Sequence, residues 1–375
     1  MSKGDKNKPT ELDFDTVMKE INKQYGGGIA SYASDAKALN ISRIPTGSFA
    51  LDVETGGGLP ENRINTIVGP YESAKTTLSL KTVKEAQKKY PDKDVVWVDA
   101  EGALDLQWVK KQGLETERMI IIRPLYTEQA FDIILNMVRV PSISLVVLDS
   151  LTALTPSREA EESMEDWQMG LSAYLNSKFL RKLSSALWTG KTLKDDNNKC
   201  TVLLLNQLRT QVGGYGGGKD ILPGGRALDF YAMLRIDLKA GEWRKGTIRG
   251  VEEVVGREIN FKTEKNRTFP AKKKGSFDLY TQDFGGFRAG GIDRIKEVLV
   301  YAVIWDIVQR SGAWYYYTTE QGEEMKFHGN NELVKYFREY PQVVKDIENA
   351  VLNKVIESYI EKETAEDSEG NITEV

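Results

Sequence analysis

Residues 64–77, INTIVGPYESAKTT, constrain this chain more tightly than any other stretch. The apolar positions Ile64, Ile67 and Val68 read as a buried strand. The strand stops at Gly69-Pro70, and Lys75-Thr76-Thr77 opens an amphipathic stretch that reads as a helix. Strand, tight loop and helix N-terminus make a phosphate cradle: loop amides and the helix dipole face the anion, a lysine adds charge, and a hydroxyl reaches a divalent cation. The pattern such a cradle follows is G-x-x-x-x-G-K-[ST]. Gly69, Pro70, Tyr71, Glu72, Ser73, Ala74, Lys75 and Thr76 match it except at Ala74, where a second glycine belongs, and Thr77 continues the first helical turn. Alanine costs little at that position if φ is helical and more if φ is positive. An ordinary strand-to-helix turn carrying a solvated lysine would read the same way, so the rest of the chain must decide.

A chain of 375 residues holds one large core with one or two small appendages. At 40% hydrophobic and 28% charged the composition is that of a soluble globular protein. No apolar run approaches the roughly 20 residues of a membrane span, and the first ten residues lack a signal-peptide core. Cys200 is the single cysteine, which excludes an internal disulfide framework and fits a reducing, cytoplasmic setting. His328 is the single histidine, which leaves little for a histidine metal site or a Ser-His-Asp triad. The net charge of −4 is unevenly placed. Residues 361–375 carry six acids against one lysine, whereas residues 257–274 carry seven basic residues against two acids. A near-neutral body with a basic segment and an acidic tail permits nucleic-acid binding without requiring it.

Residues 11–25 place Leu12, Phe14, Val17, Met18 and Ile21 at helical spacing ahead of Gly26-Gly27-Gly28. This predicts a lone amphipathic helix on a tether over 26–40, its apolar stripe buried on its own core or on a neighbouring copy. From 41 to about 283, apolar strands at 64–68, 95–98, 119–122, 144–148, 201–205, 232–238 and 258–262 alternate with helical patterns at 76–90, 104–112, 127–139 and 168–188. Continuous Val/Ile/Leu runs predict an α/β core with a mostly parallel, doubly wound sheet, whose ligands sit at the carboxyl ends of the strands. Polar motifs fall at those ends. Asp99-Ala100-Glu101-Gly102 follows one strand and Asp149-Ser150 another, so Asp149 suits Mg²⁺ coordination and Glu101 suits activation of a water. Each acid could instead be a helix N-cap. Asn206-Gln207 ends a further strand, before a glycine-laden stretch running to Gly224-Gly225. An amide beside the terminal phosphate, joined to such a loop, would make a nucleotide-controlled switch.

Together these motifs resemble the RecA family of homologous-recombination ATPases over nearly the whole chain. The segments that carry the likeness are 44–52, 69–77, 99–105, 146–156, 169–171, 206–209, 224–232 and 311–315, in the order and spacing of the bacterial and phage members. The resemblance implies a RecA-like P-loop ATPase core over 41–285, an N-terminal oligomerisation helix and tether over 1–40, a small α+β DNA-gathering domain over 286–360, and an acidic tail over 361–375. It implies ATP and Mg²⁺ as cofactors, single-stranded and homologous double-stranded DNA as partners, and a helical homo-oligomeric filament. Lys75 and Thr76 would bind phosphates, with Thr76 and Asp149 at the metal. Glu101 would be the general base and Gln207 the sensor of the γ-phosphate. Asp105, Trp108 and Tyr280 would lie near adenine. Lys265 and Arg267 would reach the nucleotide of the adjacent subunit. Two DNA loops are implied, at 162–170 and 208–226, with Met169, Gly170, Arg209, Val212, Gly224, Gly225 and Arg226 as contacts, and Arg181 lining the same groove. The expected activity is ATP-dependent strand exchange on a single-stranded DNA filament. A ring-forming RecA-fold helicase and a DNA-binding scaffold crippled by Ala74 are the competing readings. The glycine-rich second loop and the polar excursion at 189–199 depart from the family pattern.

Overall fold

The computed structural model describes residues 13–26, 28–36, 40–161, 170–188, 200–210, 220–221, 227–319 and 322–369. In chain order, α1 (Phe14–Tyr25) precedes β1 (Arg43–Ile44), α2 (Phe49–Thr55) and β2 (Leu59–Pro60). Alternation then begins: β3 (Ile64–Gly69), α3 (Lys75–Lys89), β4 (Asp94–Asp99), α4 (Leu106–Lys111), β5 (Met119–Ile122), α5 (Thr127–Met137) and β6 (Ile143–Asp149). After α6 (Ser157–Glu161) and α7 (Leu171–Ala186) come β7 (Thr201–Gln207), a short pair β8 (Arg209–Thr210) and β9 (Asp220–Ile221), and α8 (Ala227–Tyr231). The long strands β10 (Leu234–Ile248) and β11 (Val251–Asn266) lead to β12 (Lys274–Tyr280). The C-terminal part holds α9 (Arg294–Ile304), β13 (Val308–Ser311), β14 (Trp314–Thr318), β15 (Glu324–His328), α10 (Asn330–Glu339) and α11 (Pro341–Glu369).

The main sheet has the order β12-β11-β10-β3-β7-β6-β4-β5. β10, β3, β7, β6, β4 and β5 run parallel, and β11 and β12 add antiparallel at one edge. Two-residue periodicity divides each central strand between two cores. Val95, Trp97, Leu145, Val147, Leu203 and Leu205 face one core, and Val96, Val98, Val146, Leu148, Val202 and Leu204 face the other. This is why these strands read as unbroken apolar runs. The first core continues into the C-terminal part through Val298, Tyr317, Phe337 and Val351. Glu297 on α9 pins that junction: its carboxyl group accepts from Ser48 Oγ and Phe49 N, both at 2.8 Å, and so caps α2.

Four elements differ from the sequence-based expectation. The strands expected at 232–238 and 258–262 are the inner halves of a far longer hairpin, whose polar outer half hides it from an apolar pattern search. β12 alternates buried and exposed residues with a lysine, a glycine and a serine at its start, and it was not foreseen. Residues 361–369, expected to belong to a separate acidic tail, continue α11. None of the residues of α1 is buried; its apolar stripe is not covered by its own core. The tether folds back on the helix instead, with Asn22 accepting from Gly28 N and Ala30 N and donating to Ala30 O.

Candidate active site

Register brings the polar motifs together. Gly69 at the end of β3 pairs with Gln207 at the end of β7, and Asp99 at the end of β4 pairs with Asp149 at the end of β6. Four adjacent strand ends therefore present one continuous edge at the carboxyl side of the sheet.

The loop from Gly69 to Ala74 turns tightly above it. A Cβ on Gly69 would lie 2.4 Å from Ser73 Oγ and 2.6 Å from Leu238 O, so only glycine fits there. Ser73 Oγ donates to Pro70 O at 2.8 Å, and Lys75 Nζ folds back onto the same carbonyl at 2.7 Å. Ala74 is left-handed, with φ 67° and ψ 19°, so the costlier of the two alternatives for that position holds. Glu72 also has positive φ, whereas Tyr71 is 80% exposed. Burial pulls the Lys75 ammonium below the usual lysine range, against the opposing pull of Asp149 and Glu101.

Thr76 Oγ1 donates to Asp149 Oδ2 at 2.8 Å, which places hydroxyl and acid together in front of the loop. Burial pushes Asp149 up to about 6; Glu101 and Asp99 add to the rise, and the Thr76 hydrogen bond and Lys75 oppose it. Among the described residues no group of three or more His, Cys, Asp or Glu side chains is arranged to hold a metal. One hydroxyl and one acid fit Mg²⁺, which keeps several waters and takes its remaining ligands from substrate phosphates.

Glu101 Oε1 accepts from Ser150 Oγ at 2.6 Å and from Gln207 Nε2 at 3.0 Å. Asp99 does not cap a helix; it holds the 100–104 turn by accepting from Ala103 N and Leu104 N, while Arg123 Nε clamps it at 3.0 Å. Ser150 and Arg123 carried no role in the sequence reading. Ser150 follows Asp149 directly, so adjacency was the available signal for it, but nothing local marks Arg123.

Asp105 is the N-cap of α4, accepting from Trp108 N at 2.7 Å, and Trp108 packs half-buried against the first core. Tyr280 stacks on Phe287 with centroids 4.4 Å apart, and the loop beyond it is tied to the end of α4 by Lys111–Asp283 and Gln112–Ala289. Lys265 and Arg267 lie elsewhere. The Arg267 amide donates to Met233 O, and the Met233 amide to Ile64 O, which sets Arg267 level with the start of β3. Its own phosphate loop is five residues, roughly 16 Å, further up the sheet. Lys265 Nζ donates to Asp229 O and Phe230 O, and the Arg267 guanidinium stands 5.8 Å from the Phe230 ring.

Of the DNA contacts expected from the sequence, Met169, Val212, Gly224, Gly225 and Arg226 lie outside the described residues, and Arg209 is described only as backbone of β8. Gly170 is the left-handed residue that starts α7. Arg181 is exposed on α7 and makes no ion pair among the described residues.

A phosphate loop, a hydroxyl–acid pair, a poised carboxylate and an amide on adjacent ends of a parallel sheet define a P-loop nucleotide hydrolase of the doubly wound class. Within that class the chain belongs to the RecA family: the RecA N-terminal domain matches residues 12–284 and the RecA C-terminal domain residues 296–356. Protein RecA of Mannheimia haemolytica is 36% identical over 341 residues, covering 91% of this chain and 86% of that protein. Protein RecA of Nautilia profundicola is 36% identical over 92% of each chain, and that of Methylococcus capsulatus 36% identical over 96% of this chain and 97% of its own. Family membership makes the chain a DNA-dependent ATPase and an ATP-dependent recombinase. No helix among the described residues is long and apolar enough to cross a membrane.

Proposed function

We propose that the chain polymerises on single-stranded DNA, pairs it with a homologous duplex, and uses Mg²⁺-ATP at the seam between protomers to control its grip on DNA. The observation that carries this reading is the hydrogen bond from Gln207 to Glu101, which joins the base to the strand leading into the second DNA loop. Lys75 and the loop amides hold the phosphates, and Thr76 and Asp149 would hold the cation, which would supply positive charge against the phosphates. Glu101 has one oxygen committed to Ser150 and Gln207, which leaves the other to orient and deprotonate a water. With a γ-phosphate present, Gln207 exchanges Glu101 for that phosphate and moves the backbone at Leu208 and beyond. Asp105 and Trp108 take the adenine. Lys265 and Arg267 are too far from their own loop to serve it, which supports a role at the neighbour's nucleotide.

Phosphate release measured with and without single-stranded DNA, beside strand-exchange and unwinding substrates, tests the reading. Lys75→Ala and Glu101→Ala should each lower turnover by a factor on the order of 10² to 10⁴. Gln207→Ala should retain ATP binding but lose stimulation by DNA. Turnover undiminished in Glu101→Ala, or unwinding from a strand end without strand exchange, refutes it.

A further inference from the structure

α11 is longer than a small C-terminal domain requires. From Pro341 to Tyr359 it travels about 27 Å, and it leaves its own domain on the way. Lys354 Nζ donates to Trp305 O, and beyond that point Tyr359 meets Phe269 of the core, ring centroids 5.1 Å apart and tilted by 53°. Phe269 lies two residues after Arg267, in the turn between β11 and β12. That turn is held on its other sides as well. Arg43 Nη2 donates to Thr268 O and Thr268 Oγ1, Asn266 donates to Thr55 O, and Phe269 packs so closely over Gly56 that a Cβ there would come within 2.8 Å of the ring. Arg267 itself is exposed, with its guanidinium beside Phe230. The backbone that aims this arginine therefore has α11 as one of its walls.

We propose that Tyr359, through Phe269, is a positioning residue for Arg267, so that the C-terminal helix of one protomer sets ATP turnover in the next. The proposal rests on the reading of Arg267 as a group supplied across the seam. Loss of the Tyr359 ring removes a wall from the 267–270 turn and lets the arginine sample positions away from the neighbour's phosphate. Its own nucleotide site, at the far end of β3, is untouched. The consequence is directional: the defect appears in the neighbour.

Mixed filaments on single-stranded DNA read that direction. A donor protomer carries Glu101→Gln, which silences its own site and keeps Arg267. An acceptor carries Arg267→Ala, which keeps its own site and offers nothing to its neighbour. Mixed together they should regain turnover that neither has alone; no recovery removes the trans reading and this proposal with it. Given recovery, Tyr359→Ala added to the donor should cut the kcat of the mixture about tenfold with little change in KM for ATP. The same change added to the acceptor should leave the mixture within twofold, and Tyr359→Phe in the donor should restore it. Phe269→Ala in the donor should reproduce the loss. Equal losses from donor and acceptor would mean a general structural role, and no loss from the donor would mean no coupling; either overturns the proposal.

Discussion

At the scale of single residues, the spacing of the phosphate loop was legible, but its strain was not. φ at position 74 is set by how β3 docks on α3, and a pattern of letters does not carry that. A left-handed alanine costs about 1 kcal/mol relative to glycine. Ala74→Gly should therefore raise stability by roughly that amount in a urea melt, and it should leave the fold unchanged. Asp149 presents the opposite case, strain held by charge. Its folded value of about 6 lies above its ordinary 3.8, so the native state binds the extra proton and the ionised acid destabilises it. That cost is absent below pH 3.8 and complete above about 6, where it reaches roughly 3 kcal/mol before allowance for relaxation. Asp149→Asn should make the nucleotide-free protein more stable at pH 7, by a margin that shrinks at pH 5, while turnover is lost. Chemical denaturation at the two pH values and one turnover assay check both halves. The places of Glu101 and Gln207 at the carboxyl edge of the sheet were legible because Gln207 ends a buried strand and Glu101 lies two residues beyond another. The Ser150 and Arg123 contacts were not, since they depend on which strands become neighbours.

At the scale of elements, apolar runs located every parallel strand of the main sheet, because burial on both faces keeps the middles of β4, β6 and β7 apolar and even β3, with Asn65 and Thr66, keeps Ile64, Ile67 and Val68. The same rule failed for the outer half of β10 and β11 and for β12, where at least one face is wet and the pattern dissolves into charge. Interfaces between elements were equally hidden. The carboxyl group of Glu297 caps α2 from a helix 249 positions away from Ser48. Burial pushes Glu297 up to about 8; the Ser48 and Phe49 hydrogen bonds and Arg294 oppose the rise, while Asp52 adds to it. The sign follows: the native state holds a proton that the unfolded chain has released above its ordinary value of 4.5, so stability falls as pH rises from there through about 8. A thermal melt at pH 9 should therefore begin in the α2–α9 junction and fall several degrees below the melt at pH 6. Glu297→Gln, neutral at both values, should flatten that dependence. Glu297→Ala should destabilise at every pH by about 1–3 kcal/mol, because it leaves the Ser48 and Phe49 donors buried without their partner.

At the scale of the whole molecule, α1 stands apart, because none of its residues is fully buried. Phe14 and Tyr25 on α1, and Ile29 and Tyr32 on its tether, are each more than half exposed, and the Phe14 and Tyr32 rings lie tilted with centroids 5.9 Å apart. Burying such a stripe is worth on the order of 25 cal/mol for each Å² removed from water, and the isolated chain gains only the part made at the half-buried Val17, Met18 and Ile21. On the proposed reading the rest of that gain would be made in the filament, with α1 contributing to assembly more than to the fold. Removal of residues 1–32 should accordingly leave the melting temperature within about two degrees, since none of the described residues in that stretch is buried. The same deletion should abolish cooperative binding to single-stranded DNA and, with it, DNA-stimulated turnover, because on the proposed reading Arg267 would then have no neighbour to serve. Sedimentation velocity and a turnover titration against DNA length check the two expectations on one preparation. A truncated protein that melted far below the full chain would place the apolar stripe of α1 on its own core. A truncated protein that still bound DNA cooperatively would move the seam between protomers to another surface.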